Sequence, residues 1–223
     1  MAKSAITKVL IVDDQPVFSL GLSSLIEGLG KYRVTGISTN INDAVKIAEN
    51  ENPHLVIMEI QLGEENGMDL VKKLKSMNPE VIILILSASN ERFYSERLLR
   101  LGARGYVMKS AKAEVITEAI LTVMSGKIYL GESERERIFQ AITEDNSRGA
   151  KDWTMSIHKL SNRELQVFSL LGKGYGTIEI ASRYNLSTKT VDTYKENLKL
   201  KLHCSTSQEL RQMAVEWSNN TGI

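Results

Sequence analysis

The sequence has little of what marks secreted proteins, membrane-spanning proteins or proteins that bind metal through cysteine and histidine. One cysteine among 223 residues, Cys204, excludes an intrachain disulfide. No apolar run reaches about 18 residues, and the first residues lack the long apolar segment of a signal peptide. The three histidines, His54, His158 and His203, show no metal-ligand spacing. We therefore expect a cytoplasmic protein with no helix that crosses a membrane.

The net charge is also small. At +1 for the whole chain, it indicates no general attraction to nucleic acid or to a membrane surface. The charge is unevenly distributed, however, because residues 156–223 carry +3 while residues 1–126 and 127–155 each carry −1. The C-terminal part is therefore the part of the chain suited to contact phosphate groups.

The first 126 residues alternate between short apolar runs and amphipathic segments. Strands that are apolar almost throughout are typical of parallel sheets covered by helices on both faces. We therefore predict an α/β fold with a five-stranded doubly wound parallel sheet, in which Asn42 caps the second helix. The predicted strands are 8–14, 32–38, 54–60, 80–89 and 105–110; the predicted helices are 15–30, 40–52, 67–78, 92–102 and 113–126.

The rest of the chain differs in pattern from this first part. Residues 132–145 predict a charged helix, and residues 146–152 have the polar, glycine-containing composition of a linker. Residues 159–202 predict three helices, and 205–218 a fourth. We therefore divide the chain into a first domain (1–126), a linker with a helix (127–155) and an all-α four-helix domain (156–223).

Polar side chains lie at the ends of four of the five predicted strands. Asp13 and Asp14 end the first strand, Glu59 ends the third, Ser87 ends the fourth and Lys109 ends the fifth. Each alone could be a helix cap or a solvated strand end, but the carboxyl ends of parallel strands share one edge, where ligands bind. Clustered carboxylates favour a hard cation such as Mg²⁺. A hydroxyl and an ammonium group nearby could hold phosphoryl oxygens. The set predicts a phosphoryl-accepting site.

The segments "VLIVDDQ", "HLVIMEIQLGEENG", "ILSAS" and "ARGYVMKS" resemble the marker segments of bacterial response-regulator receiver domains, which have a flavodoxin/CheY-like fold. The resemblance covers residues 6–126. It implies that position 59 is the phosphoacceptor and that Tyr106 is the aromatic switch residue, although a core tyrosine at the sheet edge is the alternative. It also implies readout of the phosphate by Ser87 and Lys109, and Mg²⁺ ligation by Asp13, Asp14, Glu59 and the backbone carbonyl of Gln61.

Two residues depart from that family pattern. The family's phosphoacceptor is aspartate, whereas this chain has Glu59, and Gly63 stands where proline is common. Glutamate is one methylene longer, so its carboxylate reaches about where a phosphoryl oxygen would lie, and it is poorly placed for in-line attack. We predict that Glu59 is not normally phosphorylated. Two interpretations stay open: Glu59 mimics the phosphorylated state, as a natural or an engineered residue, or the receiver is degenerate and controlled by another signal.

Residues 177–202 predict a helix, a short turn and a longer helix. Ile178, Ile180 and Ala181 are expected to face inward on the first helix, and Ser187 to cap the second. Val191, Leu198 and Leu202 form an apolar stripe on the second helix, which leaves its lysines for solvent or phosphate. An inward stripe with lysines beside it is the pattern of a DNA-recognition helix.

The C-terminal residues 158–218 resemble the helix-turn-helix domain of LuxR-type (NarL/FixJ) regulators. The resemblance is carried by Leu160, Ser161, Arg163 and Glu164, by Glu179, Ile180 and Ala181, and by Ser187, Thr190 and Val191. It implies double-stranded DNA as partner, read by a homodimer. It places Asp192, Thr193 and Glu196 toward bases and Lys189, Lys195 and Lys199 toward phosphates, with Thr190 in the same DNA-binding set.

The leading interpretation is therefore a two-component transcription regulator that is not an enzyme, with a sensor histidine kinase as a candidate partner. A degenerate receiver that acts mainly as a protein-interaction module is the alternative. A haloacid-dehalogenase-like phosphatase fits less well, because that family needs a second aspartate two positions after the first. Gln15 or Pro16 stands there in this chain.

Overall fold

The computed structural model of the chain describes residues 6–63, 65–88, 91–136, 157 and 160–221. The chain forms two compact units, Met1–Gln140 and Ala141–Ile223. Each unit is considered by itself. Within the described residues, no helix is both long and apolar enough to cross a membrane.

The first unit contains the predicted five-stranded parallel sheet, with strand order β2-β1-β3-β6-β7. Its strands are β1 (Thr7–Val12), β2 (Tyr32–Ser38), β3 (Leu55–Met58), β6 (Ile82–Ser87) and β7 (Gly105–Met108). Its helices are α1 (Pro16–Glu27), α2 (Ile41–Glu51), α3 (Gly67–Met77), α4 (Glu91–Arg100) and α5 (Ala113–Met124). The doubly wound fold class is confirmed.

The central strands are buried on both faces. Every residue of β3 is buried, as are the last four residues of β1. Val9, Ile11, Leu55 and Ile57, which point to one face of the sheet, join apolar side chains of α1 and α5 in one core. This burial explains why the strands are apolar almost throughout instead of alternating. It also leaves the strand ends as the places where polar groups of the sheet can meet solvent.

Two local features differ from the sequence predictions. A two-stranded antiparallel hairpin, β4 (Gln61–Leu62) with β5 (Glu65–Asn66), follows β3 and was not predicted, because two-residue strands leave no periodic pattern. The N-cap of α2 is Asn40, whose side chain accepts from the N–H of Asp43, so the assignment of the cap to Asn42 was wrong.

The predicted linker begins with residues that pack on the first unit. Tyr129 forms a parallel bridge to Gly105 of β7, and residues 132–136 are helical. The remainder of the predicted helix 132–145 and the linker 146–152 lie outside the described residues.

The second unit contains the four predicted helices: α6 (Asn162–Gly172), α7 (Thr177–Arg183), α8 (Thr188–Leu202) and α9 (Ser207–Thr221). Phe168 of α6 and Trp217 of α9 pack with ring centroids 5.4 Å apart in its core. Ile180 and Ala181 are buried as expected, but Ile178 is 76% exposed, so its inward assignment was wrong.

Candidate functional site

Four polar side chains meet at the carboxyl edge of the sheet. Asp13 directly follows β1, Glu59 directly follows β3, Ser87 is the last residue of β6 and Lys109 directly follows β7. All four side chains are buried or nearly so, with Asp13 and Glu59 only 3% and 5% exposed and Lys109 8% exposed. The parallel sheet therefore assembles the polar cluster that the strand ends predicted.

The Glu59 carboxylate is the centre of this cluster. One oxygen, Oε1, accepts hydrogen bonds from the Ser87 hydroxyl and from the backbone N–H of Ile60, at 2.6 Å. The other, Oε2, accepts from the N–H of Ala88 at 3.0 Å and lies 3.2 Å from Lys109 Nζ. The Glu59 oxygens are therefore held by donors at the ends of β6 and β7, together with the N–H of the next residue, Ile60.

Lys109 connects Glu59 to Asp13. Its ammonium nitrogen lies 2.7 Å from Asp13 Oδ2, and it contacts the ring of Phe18, 4.8 Å from the centroid, and Gln15 Oε1 at 3.4 Å. Burial raises the pKa of Asp13 above its ordinary value, against the opposing effects of Lys109 and of the Gln15 N–H, and the charge of Glu59 adds to the rise. A buried ammonium group shared by two carboxylates offsets most of the repulsion between them.

Asp14 takes no part in this cluster of charges. Its Oδ2 accepts from the N–H of Gly63 at 2.9 Å, in the turn of the β4–β5 hairpin. Gly63 has φ of 57°, which proline cannot adopt, and proline has no N–H to donate. The departure at position 63 is therefore what allows Asp14 to bond to this turn.

The predicted Mg²⁺ ligands do not fit an ion as they are arranged. Receiver domains typically bind Mg²⁺ at the phosphorylation site. Here Lys109 bridges Asp13 and Glu59, Asp14 bonds to Gly63, and the described residues include no group of three His, Cys, Asp or Glu side chains placed to hold a metal. Gln61, whose backbone carbonyl was another predicted ligand, donates a hydrogen bond from its own N–H to Glu59 Oε1 at 3.2 Å.

Tyr106 lies on β7 beside Ile85 of β6, and its side chain is 1% exposed. Sequence reasoning missed Gln15, Phe18 and the Ala88 N–H as parts of the site. No residue-type signal could have found Ala88, because it contributes only its backbone.

The second unit presents α8 with a buried and an exposed side. Ser187 caps the helix by accepting from the Thr190 N–H at 3.0 Å, and Val191, Leu198 and Leu202 are buried, as the sequence predicted. The exposed side of α8 carries Lys189, Asp192, Thr193, Glu196 and Leu200.

Two of the predicted phosphate-facing lysines are largely covered. Lys195 is 21% exposed and lies 3.5 Å from Asp192, with a further contact to Thr177 Oγ1 at 3.0 Å. Lys199 is 19% exposed and lies 2.9 Å from Glu196. Asp192 and Glu196, on the exposed side of α8, therefore pair with two of the lysines that were expected to contact phosphates.

Sequence reasoning also missed the contact that ties α8 to α6. Glu164, 4% exposed, accepts from the Ser161 N–H at 2.6 Å and from Lys201 Nζ at 2.7 Å. Burial by itself would raise the pKa of Glu164, but the hydrogen bonds from Lys201 and Ser161 outweigh it and lower the pKa below its ordinary value. The capping box of α6 therefore also fixes the C-terminal end of α8.

Family models match both units of the chain. The model of the response regulator receiver domain matches residues 9–121, and the model of bacterial regulatory proteins of the luxR family matches residues 158–214. The chain belongs to the LuxR-type response regulators. This family consists of transcription-regulating proteins, not enzymes, so the phosphatase alternative is excluded.

Similar proteins extend over nearly the whole chain. The virulence-factor transcription regulator BvgA of Bordetella pertussis is 34% identical over 207 residues, 93% of this chain and 96% of BvgA. The response regulator RcsB of Salmonella typhimurium has the same fold, with a TM-score of 0.68 at 22% identity over 95% of this chain and 98% of RcsB.

RcsB has also been solved on DNA. One structure contains two RcsB dimers on two parallel DNAs, with a TM-score of 0.55 at 21% identity, over 93% of this chain and 96% of RcsB. Another, from Salmonella enterica serovar Typhimurium, is bound to the rprA promoter in the presence of phosphomimetic BeF₃⁻. Its TM-score is 0.61 at 21% identity, over 93% of this chain and 97% of RcsB.

Proposed function

We propose that this response regulator binds specific double-stranded DNA as a homodimer without prior phosphorylation, because Glu59 holds its receiver in the signalling arrangement. The observation that carries the proposal is the set of contacts to one carboxylate. Glu59 accepts from the Ser87 hydroxyl and the Ala88 N–H, and Oε2 lies 3.2 Å from Lys109 Nζ. By the family resemblance, Ser87 and Lys109 are the side chains that read out a phosphoryl group.

The length of glutamate explains how it makes these contacts. Its carboxylate extends one methylene beyond that of aspartate, to about the place of a phosphoryl oxygen. It carries one negative charge, against roughly 1.5 to 2 for a phosphate group at neutral pH. The smaller charge is offset by burial, because the ion pair between Lys109 and Glu59 is stronger away from water than it would be at the surface. Tyr106, 1% exposed, is in keeping with an inward switch residue.

Control by a sensor histidine kinase and Mg²⁺ is less well supported for this chain. Both Glu59 oxygens accept hydrogen bonds, which lowers the nucleophilicity of the carboxylate toward a phosphodonor. An ion at Asp13 and Asp14 would also have to compete with the Lys109 ammonium for Asp13 and share the Asp14 carboxylate with the Gly63 N–H. We therefore assign the signal to Glu59 itself.

DNA recognition is assigned to α8. Lys189, Asp192, Thr193 and Glu196 lie on its exposed side, where base edges and phosphates could be reached. Thr190 is engaged with the Ser187 cap, and Lys195 and Lys199 would have to leave Asp192 and Glu196 to contact phosphates. The acidic partners weaken general affinity for DNA, so two subunits on two half-sites are needed for tight binding.

Selection of bound DNA from a random pool tests the proposal. The chain is expected to select a two-fold symmetric sequence without a phosphodonor. Glu59→Asp is expected to select the same sequence only with acetyl phosphate and Mg²⁺. Glu49→Asp, the same change on the exposed surface of α2, is the matched control and should behave like the parent chain. Failure of the parent chain to enrich any sequence would contradict the proposal and favour a protein-interaction module.

A further inference from the structure

Glu134 is a buried carboxylate that neither the Glu59 cluster nor the recognition helix uses. It lies in the short helical segment 132–136, beyond α5, and is 4% exposed, whereas its neighbours Glu132 and Glu136 are exposed. Its Oε1 accepts a hydrogen bond from the hydroxyl of Ser95 on α4, and Ser95 is 1% exposed. Since a buried carboxylate is costly without hydrogen bonds, this contact favours the segment lying against α4.

The residues just before Glu134 are tied to β7. The N–H of Tyr106 donates to the Tyr129 carbonyl at 3.0 Å, and the Tyr129 N–H donates to the Arg104 carbonyl at 2.9 Å. Leu130 follows and is buried. The chain that leaves the receiver toward the luxR-matching residues is therefore fixed at two places, on β7 and on α4.

The two elements that hold this segment, α4 and β7, also adjoin the Glu59 cluster. Ser87, the last residue of β6, and Ala88, the residue after it, donate to Glu59 and precede α4. β7 ends one residue before Lys109, which contacts the same carboxylate. A change in the bonds to Glu59 therefore acts on the start of α4 and on the end of β7, the two elements that hold residues 129–134.

We infer that Ser95 and Glu134 are positioning residues that transmit the state of the Glu59 cluster to the segment leading to the DNA-binding domain. The inference rests on the proposed function, in which the Glu59 carboxylate sets that state. The Ser95–Glu134 bond holds residues 132–136 on α4 while Glu59 holds Ser87 and Ala88. Loss of the Glu59 contacts shifts α4 and releases the segment.

Amide hydrogen exchange of the full chain tests the bond itself. The Arg135 N–H donates to the Gly131 carbonyl at 3.0 Å and reports on the segment, while the Tyr129 N–H reports on β7. Ser95→Ala and Glu134→Ala are each expected to speed exchange at Arg135 roughly tenfold and to leave Tyr129 protected, because a bond to a charged group is lost. The double variant should exceed Glu134→Ala by no more than about twofold, because removal of the Glu134 side chain already removes the bond to Ser95.

Glu132→Ala and Glu136→Ala are the matched controls, since they remove exposed carboxylates from the same helical turn. Both should leave Arg135 exchange unchanged. If Glu134→Ala leaves exchange at Arg135 at the parent rate, or if the exposed controls speed it equally, the assignment of Glu134 is overturned.

The coupling to Glu59 needs a second comparison. Glu59→Gln is expected to speed exchange at Arg135, and Glu59→Gln combined with Glu134→Ala should exchange no faster than Glu134→Ala alone. If the combined variant speeds exchange at Arg135 by the product of the two single-variant factors, the coupling is overturned. DNA affinity measured on the same variants separates the two proposals: unchanged affinity in Glu59→Gln contradicts the proposed function, whereas the exchange rates alone judge the role of Ser95 and Glu134.

Discussion

The hydroxyl of Ser87 donates a hydrogen bond to the carboxylate of Glu59, across two neighbouring strands of the sheet. Ser87 is fully buried and Glu59 nearly so, so this bond forms away from water, where an unmade bond would be costly. A carboxylate of this chain thus engages the side chain that, in the resembled family, responds to the phosphoryl group.

The protein is expected to resist phosphorylation by small donors. Acetyl phosphate with Mg²⁺ should leave the intact mass unchanged, because both Glu59 oxygens are bonded and its longer arm is misaligned for in-line attack. Glu59→Asp should gain one phosphate. A gain of phosphate in the parent chain that is lost in Glu59→Ala would show that position 59 is an acceptor after all.

Gly67, the first residue of α3, is expected to tolerate no side chain. A Cβ there would lie 2.7 Å from the Ile60 carbonyl oxygen and 2.8 Å from that of Glu59, both backbone atoms. Gly67→Ala should lower the free energy of unfolding by about 1–3 kcal/mol, measured by urea denaturation of the receiver.

Gly21→Ala is the control for that substitution. Gly21 lies inside α1 with no atom within 4 Å of a built Cβ, so alanine should raise stability by roughly 0.5–1 kcal/mol through its helix propensity. Equal destabilisation by both changes would contradict the steric explanation.

The ion pair of Glu164 and Lys201 should make the helix-turn-helix unit sensitive to acid. Because the pKa of Glu164 is lowered in the folded state, its contribution is present above the ordinary carboxyl pKa of about 4.3 and is lost as the pH falls through the folded value. Lys201→Met should cost about 1–2 kcal/mol at pH 7, discounted because Lys201 is 40% exposed.

The cost of Lys201→Met should shrink as the pH falls below about 4.3 toward the lowered folded pKa of Glu164, because the carboxyl group then becomes protonated in the parent protein as well. Thermal unfolding at a series of pH values measures this difference. Lys173→Met, which removes an exposed lysine from the same unit, is the control. A cost that does not vary with pH would show that Lys201 stabilises only through packing.

The recognition helix should respond in opposite directions to changes at Lys189 and Asp192. Lys189→Ala is expected to weaken DNA binding and to reduce the slope of log K against log salt by about 0.9 per subunit, as for one lost phosphate contact. Asp192→Asn should strengthen general binding, because it releases Lys195 from a contact at 3.5 Å. Fluorescence anisotropy at several salt concentrations measures both. A weaker complex in Asp192→Asn with an unchanged salt slope would instead indicate a direct base contact.

The sequence was sufficient to predict the sheet, its helices and the residues at its carboxyl edge. Long apolar strands leave a clear pattern, and parallel strands bring Asp13, Glu59, Ser87 and Lys109 to one edge whatever the details of the loops. The four C-terminal helices were also predicted; on α8, for example, Val191, Leu198 and Leu202 recur at helical spacing.

What could not be predicted depends on side-chain direction and on backbone donors. The sequence analysis grouped Asp14 with Asp13 because both are acidic. The direction of the Asp14 side chain, however, depends on its bond to the Gly63 N–H, in a hairpin whose strands have two residues each. Lys195 and Lys199 pair with acidic residues three positions earlier on the same helix, a spacing that the sequence does show but that was not used. Lys201 instead pairs with Glu164 on α6, and a tertiary contact of this kind leaves no periodic signal.

The most direct test of the account is the DNA affinity of the parent chain against that of Glu59→Gln, measured without a phosphodonor on the selected sequence. Glutamine keeps the shape of glutamate but removes the charge that Lys109 contacts and the second oxygen that the Ala88 N–H needs. The account predicts a loss of roughly 5- to 150-fold in affinity, the usual range of coupling between two sites. Equal affinities for the two proteins would contradict it.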